Sequence, residues 1–146
     1  MRALAEREQQ TVPETLPPRV VVPIRRLNAP ALRALGYALS IAKRATVVQL
    51  PRGEDPGLVR KRLRNLGLAG RLEFLESNGG EDPVELILDS LDTIAGDEPG
   101  RPIAVVLAPI VPRHRWLLPL HDQGGRLRKR LVARPGTAVV DVRFQV

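Results

Sequence analysis

The stretch Val20-Val21-Val22-Pro23-Ile24-Arg25-Arg26-Leu27-Asn28-Ala29-Pro30 decides how the rest of the chain is read. Three consecutive β-branched residues leading to Ile24 are too short a run for a helix. They are apolar at adjacent positions, as in a strand covered on both faces. Asn28 suits a helix cap, and Pro30 fits the first turn of the helix behind it. Leu32, Leu35, Leu39 and Ala42 then recur at the spacing of one helix face. A doubly covered strand feeding a capped amphipathic helix opens a strand–helix–strand unit.

The same rhythm repeats downstream. A second strand is predicted over 46–50; Asp55 caps and Pro56 opens the next helix. Val59, Leu63 and Leu66 form its inner face, Arg60, Lys61, Arg62 and Arg64 its outer face, and Gly67 ends it. A third strand covers 72–75, followed by an Asn78-Gly79-Gly80 loop. Asp82, Pro83 and Glu85 make an Asp-x-x-Glu capping box, and Val84, Ile87, Leu88, Leu91 and Ile94 the buried stripe behind it. Ile103–Leu107 reads as a fully covered strand. A long connection leads to a last helix over 122–133, with Leu127, Leu131 and Val132 inward, and a final strand over 137–146.

Five strands alternating with four helices predict a three-layer α/β/α sandwich around a mostly parallel sheet, with right-handed crossovers. Strand orders 2-1-3-4-5 and 3-2-1-4-5 both accommodate this count. In the last strand Val140, Val142, Phe144 and Val146 alternate with Asp141, Arg143 and Gln145. One apolar and one polar face belong at a sheet edge, where a second copy can pair. Residues 1–19, broken by Pro13, Pro17 and Pro18, read as a tail with helix confined to 3–10, and 20–146 as the folded domain.

Composition narrows the classes. At 146 residues and 43% hydrophobic, the chain suits one globular domain. No apolar run approaches the roughly 20 residues of a membrane span, and the charged start (Arg2, Glu6, Arg7, Glu8, Glu14) is unlike a secretory signal. Zero Cys excludes disulfides, thiolate zinc sites and cysteine nucleophiles. The expectation is a soluble, intracellular protein with no direct membrane insertion. The net charge of +7 is polarised: residues 76–98 hold eight acids and no base, residues 113–130 six bases and one acid. A local anion site or self-complementary interface fits this better than a nucleic-acid track.

In such sheets ligands bind outside the carboxyl ends of the strands, where the strand order reverses. Two loops meet there: 23–28 after the first strand and 108–123 after the fourth. The second holds the only Trp, both His and two Arg, braced by Pro109, Pro112 and Pro119. Arg113 and Arg115 can fork onto phosphate, Trp116 offers a flat face to a base, and the start of the last helix, near 121–125, offers N–H groups to an anion. Plainer readings stand beside these: Trp116 in a core or interface, His121 as a helix cap. Arg126, Arg128, Lys129 and Arg130, like the acidic helix, read as solvated faces. No metal-ligand spacing, nucleophile–base set or G-x-x-x-x-G-K-S/T loop is present, so no catalytic or metal site is expected.

Two segments carry a family resemblance. Residues Val21 to Asn28, with Leu32-Arg33-Ala34-Leu35-Gly36-Tyr37-Ala38, resemble the start of the cytoplasmic carboxyl-terminal domain of amino acid–polyamine–organocation superfamily permeases. Pro109-Ile110-Val111-Pro112-Arg113-His114-Arg115-Trp116, with Leu120-His121-Asp122-Gln123 and Leu127-Arg128, is similar to the P-E-F-V-P-R-x-W-W…L-H-N-Q…L-R-L pattern of those domains. The likeness runs in order over 19–144. It implies the universal stress protein fold, order 3-2-1-4-5, in a homodimer. The usual ATP motif G-x-x-G…G-S/T is missing, as is an Asp ending the first strand.

In some potassium-importing members of that permease family the equivalent domain is a dimeric cyclic di-AMP sensor. The resemblance therefore implies cyclic di-AMP as ligand ahead of ATP or AMP. Arg25, Arg113 and Arg115 would meet phosphate, Trp116 or His121 a base face and Gln123 a base edge, with Asn28 and His114 in the same site. It also implies a permease membrane domain as partner, at the inner face of the membrane. The competing expectation is a dimerising interaction domain without a ligand.

Overall fold

Each apolar run becomes a strand because both of its faces find a helix to cover them. The computed structural model describes residues 16–76, 82–108 and 118–142, the first seven of the last span as helical backbone. Five strands form one sheet: β1 (Arg19–Ile24), β2 (Ala45–Gln49), β3 (Leu72–Glu76), β4 (Ile103–Leu107) and β5 (Thr137–Asp141). Between them lie α1 (Ala29–Ile41), α2 (Pro56–Asn65), α3 (Pro83–Asp97) and α4 (Leu118–Val132). The order is β3-β2-β1-β4-β5, the second of the two orders the strand count allows. Every neighbouring pair is parallel, with Val20 opposite Ala45 and Ala104, and Val105 opposite Val139.

Alternation along the strands divides the core in two. Val20, Val22, Val47 and Val106 meet Leu35, Leu39, Val59 and Leu63 of α1 and α2 on one face. Val21, Val48 and Val105 meet Ile87, Leu91, Leu127 and Leu131 of α3 and α4 on the other. Three helices start with the same device. Asn28 Oδ1, Asp55 Oδ2 and Asp82 Oδ1 accept from the N–H groups of Ala31, Leu58 and Val84 at 3.0, 3.2 and 3.0 Å, each beside a first-turn proline. Gly67, at φ 76°, ends α2 in a left-handed cap in which Gly67 N–H donates to Arg64 and Leu68 N–H to Leu63.

Several sequence expectations shift. Arg19 belongs to β1 rather than to the tail, and β2 spans Ala45–Gln49, one residue earlier than predicted. Helix α4 starts at Leu118 instead of Asp122, because Pro119 is acceptable in a first turn. Leu66 and Val132 are exposed, at 56% and 69%, since each falls outside the stripe that faces the sheet. Leu86 and Ser90 are buried in addition to the predicted α3 stripe. The expected helix over 3–10, the Asn78-Gly79-Gly80 loop and the strand beyond Val142 lie outside the described residues.

The charged faces of α3 and α4 are not merely solvated. They pair with each other, Arg126 with Asp82, and Arg130 with Glu85 at 2.8 Å, while Arg134 in the turn after α4 adds a pair with Asp92 at 2.5 Å. Glu85 therefore reaches across to Arg130 instead of back to its own cap. Arg128 adds a bond to Asp141 of β5 at 2.7 Å. Among the described residues, no helix is long and apolar enough to cross a membrane.

Candidate functional site

Helices α1 and α4 leave the carboxyl ends of β1 and β4 toward opposite faces of the sheet, so the strand order reverses between these two neighbours. In parallel sheets a divergence of this kind marks the strand-end crevice where ligands are received. The β1 side of it is residues 25–28. Arg25 and Arg26 are exposed, and among the described residues neither side chain has a hydrogen-bond or ion-pair partner. Two adjacent guanidiniums without carboxylates are the donor set that a phosphate-bearing ligand requires.

The loop carrying them is held from behind by residues 50–55, which follow β2. Glu54 N–H donates to the Arg25 carbonyl at 2.9 Å, and Gln49 Nε2 reaches the same carbonyl at 3.4 Å. Glu54 Oε1 accepts from Leu27 N–H at 2.7 Å, while Arg62 of α2 takes up the carboxylate at 3.1 Å. Gly53 lies against the Arg25 backbone with no room for a side chain. Arg52, just before it, sits in the left-handed region at φ 61°, where a non-glycine residue is uncommon. Sequence reasoning missed Gly53, Glu54 and Arg62; the available signal was the Pro51-Arg52-Gly53 turn placed between a strand and a cap.

The remaining predicted residues divide by location. Asn28 caps α1, so its side-chain oxygen is committed to Ala31 N–H, and its amide NH2 has no partner among the described residues. His121 and Gln123 fall inside α4, three and five residues after its start, and the open amide end of that helix is at Leu118, not near 121–125. Arg113, His114, Arg115 and Trp116 lie outside the described residues. Of the proposed set, the structure brings Arg25 and Asn28 into one loop at the crevice.

A cavity of about 760 Å³ occurs elsewhere, at the amino-terminal edge of the sheet, lined among others by Arg19, Thr46, Glu73, Asp97, Glu98 and Arg101. Most of its charges pair with one another, although Lys43, also in the lining, has no side-chain partner among the described residues. Arg19, with a side chain only 16% exposed, donates to Glu73 at 3.0 Å and stands 3.7 and 4.0 Å from Glu98 and Asp97. Arg101 pairs with Glu98 at 2.8 Å and donates to the Pro17 carbonyl at 2.9 Å. The paired groups fasten the chain entry, whereas the end of β1 presents two adjacent arginines with no partner among the described residues, and we take that strand end as the candidate site.

Comparison with known proteins bears on the family and the fold. The chain matches the model of the KimA potassium transporter C-terminal domain over residues 16–144. Among solved structures it is similar to a crystal structure of a protein from the universal stress protein family from Burkholderia pseudomallei. The TM-score is 0.51 at 19% identity, covering 89% of this chain and 98% of that one. No curated protein matches the chain. The two likenesses bear out the resemblance drawn from the sequence, the first in family and the second in fold.

Proposed function

The chain belongs to the family of KimA potassium transporter C-terminal domains, and from that premise we propose that it is a non-catalytic regulatory domain binding a phosphate-bearing adenine nucleotide. The ligand is cyclic di-AMP, held at the strand-end crevice of a homodimer on the cytoplasmic side of a permease. The supporting observation is the exposed Arg25–Arg26 pair at the end of β1, which has no partner among the described residues. A twofold ligand with two phosphates suits a twofold dimer in which each copy offers the same arginines. Arg113 and Arg115 add phosphate donors from the β4 side, Trp116 or His121 a base platform and Gln123 a base-edge contact, with Asn28 and His114 beside them. Binding acts on the transporter through unequal affinity for two arrangements of the dimer.

Calorimetric titration with cyclic di-AMP, ATP and AMP at moderate salt tests the proposal. Saturable binding of cyclic di-AMP, weakened about tenfold or more by Arg25→Ala and by Arg113→Ala, is expected from the loss of one charge-assisted contact. Silence with all three nucleotides rejects it. The second reading, a dimerising domain without a small ligand, draws on β5, which ends the sheet with Val139 and Val140 only half-buried.

A further inference from the structure

Glu54 touches the β1–α1 loop on both sides of Arg26. Its N–H donates to the Arg25 carbonyl at 2.9 Å, and its Oε1 accepts from Leu27 N–H at 2.7 Å. The second bond is short and charge-assisted, the stronger class of hydrogen bond. These two bonds bracket Arg26 and hold the carbonyl of Arg25, the two residues whose guanidiniums are exposed at the end of β1. A carboxylate so close to an anion site would ordinarily repel the ligand or capture Arg25 and Arg26 for itself. Here it does neither, because Arg62 of α2 takes it at 3.1 and 3.3 Å. Glu54 is 27% exposed and Arg62 49%, so the pair sits half sheltered under the loop.

We infer that Glu54 is the positioning residue of the anion-binding loop and that Arg62 is its charge partner, leaving Arg25 and Arg26 aimed at phosphate. The inference rests on the nucleotide reading above and extends it to residues that never touch the ligand. Glu54 fixes the backbone from which both guanidiniums project, so the ligand does not have to order the loop as it binds. Arg62 cancels the carboxylate locally, so the loop keeps its full positive charge toward solvent.

The test compares Glu54→Ala, Glu54→Gln and Arg62→Ala with the unaltered domain by two measurements. The first is amide hydrogen exchange at Leu27, which needs no ligand. Glu54→Ala is expected to speed it about tenfold, the loss of one hydrogen bond, while Glu54→Gln, which keeps an acceptor, retains most of the protection. Exchange in β2 serves as the folding control. The second is titration with cyclic di-AMP. Glu54→Ala is expected to weaken binding about tenfold with Arg25 intact, Glu54→Gln to restore it to within about threefold, and Arg62→Ala to weaken it by exposing the carboxylate. Unchanged Leu27 exchange in Glu54→Ala overturns the positioning role whatever the nucleotide does. Equal affinity in Glu54→Ala and the unaltered domain overturns it also. An unaltered domain that ignores cyclic di-AMP while Leu27 exchange responds rejects the nucleotide reading, and with it the ligand role of a clamp that nonetheless exists.

Discussion

Gly53 stands so close to Arg25 that a β-carbon on it would lie 1.8 Å from the Arg25 carbonyl oxygen and 2.6 Å from the carbonyl carbon. Both atoms are backbone, tied down by Glu54 N–H and by the start of the β1–α1 loop, so neither can swing aside as a side-chain tip would. The loop after β2 can therefore press against the loop after β1 only with glycine at this position. The arginines of the crevice owe their placement to that contact.

Gly53→Ala is accordingly expected to force the two loops apart and destabilise the domain by about 1–3 kcal/mol, the range for insertion into a packed contact. Gly36, in the middle of α1, meets nothing within 4 Å of a built β-carbon. Gly36→Ala should instead stabilise by about 0.5–1 kcal/mol, through helix propensity alone. Urea unfolding of both variants beside the unaltered domain checks the opposite signs, and equal midpoints would refute the account.

Arg71 closes the far end of α1, a helix with no basic residue in its own last turn. Its guanidinium donates to the carbonyls of Leu39 at 2.8 Å, Lys43 at 3.0 Å and Ala42 at 3.3 Å. Arg71→Ala leaves these acceptors to water alone and should cost about 1–2 kcal/mol. Arg71→Lys should recover less than half, since one ammonium cannot fork over carbonyls that the planar guanidinium spans. Chemical denaturation of the two variants decides this.

Sequence periodicity carried the fold because burial on both faces of a strand leaves an unmistakable run, as in Val20–Val22 and Ile103–Leu107, and because Asn28, Asp55 and Asp82 stand beside prolines. Strand order was legible only through family likeness, as periodicity is the same for either order. The site was harder to read. Arg25 is visible as a basic residue at a strand end, but the clamp behind it joins a backbone N–H to a carboxylate 27 residues away, a pairing that no sequence periodicity encodes. The α3–α4 ion pairs were hidden for a similar reason. Each face reads as a solvated charge run until the topology sets them side by side.

Those ion pairs make stability depend on acid. The Arg126 guanidinium, by its hydrogen bond, holds the Asp82 carboxyl below its ordinary value of 3.8, against a smaller upward push from desolvation. A depressed folded-state value means that the unfolded chain binds the proton more readily. The stabilisation is thus complete above about pH 4 and is lost as pH falls from there through the lowered folded value. Arg126→Met should lower the melting temperature at pH 7 and converge with the unaltered domain at the acid end of the titration. Added salt at neutral pH should also narrow the gap, because the pair is solvent-exposed. A difference that persists unchanged across pH and salt would assign Arg126 a packing role instead.

The free side of β5 offers the last test. Among the described residues the strand pairs with β4 on one edge only, Ala138 is exposed on it, and Val140 and Val142 reach only the margin of the α1–α2 core. Natural edges that must not pair carry an inward-facing charge, and this segment has none on the Ala138–Val140–Val142 face. If copies join here, Ala138→Lys places two ammonium groups in the twofold seam, one from each copy, and both must be desolvated for the dimer to form. Ala138 supports no core contact in the single chain, so thermal stability measured at high dilution should stay the same. Sedimentation equilibrium should show the unaltered domain as a dimer and Ala138→Lys shifted to monomer, by about tenfold or more in dissociation constant for an unpaired charge buried at a contact. A dimer of undiminished strength in Ala138→Lys would move the interface away from β5 and require the proposed twofold site to be built around another surface.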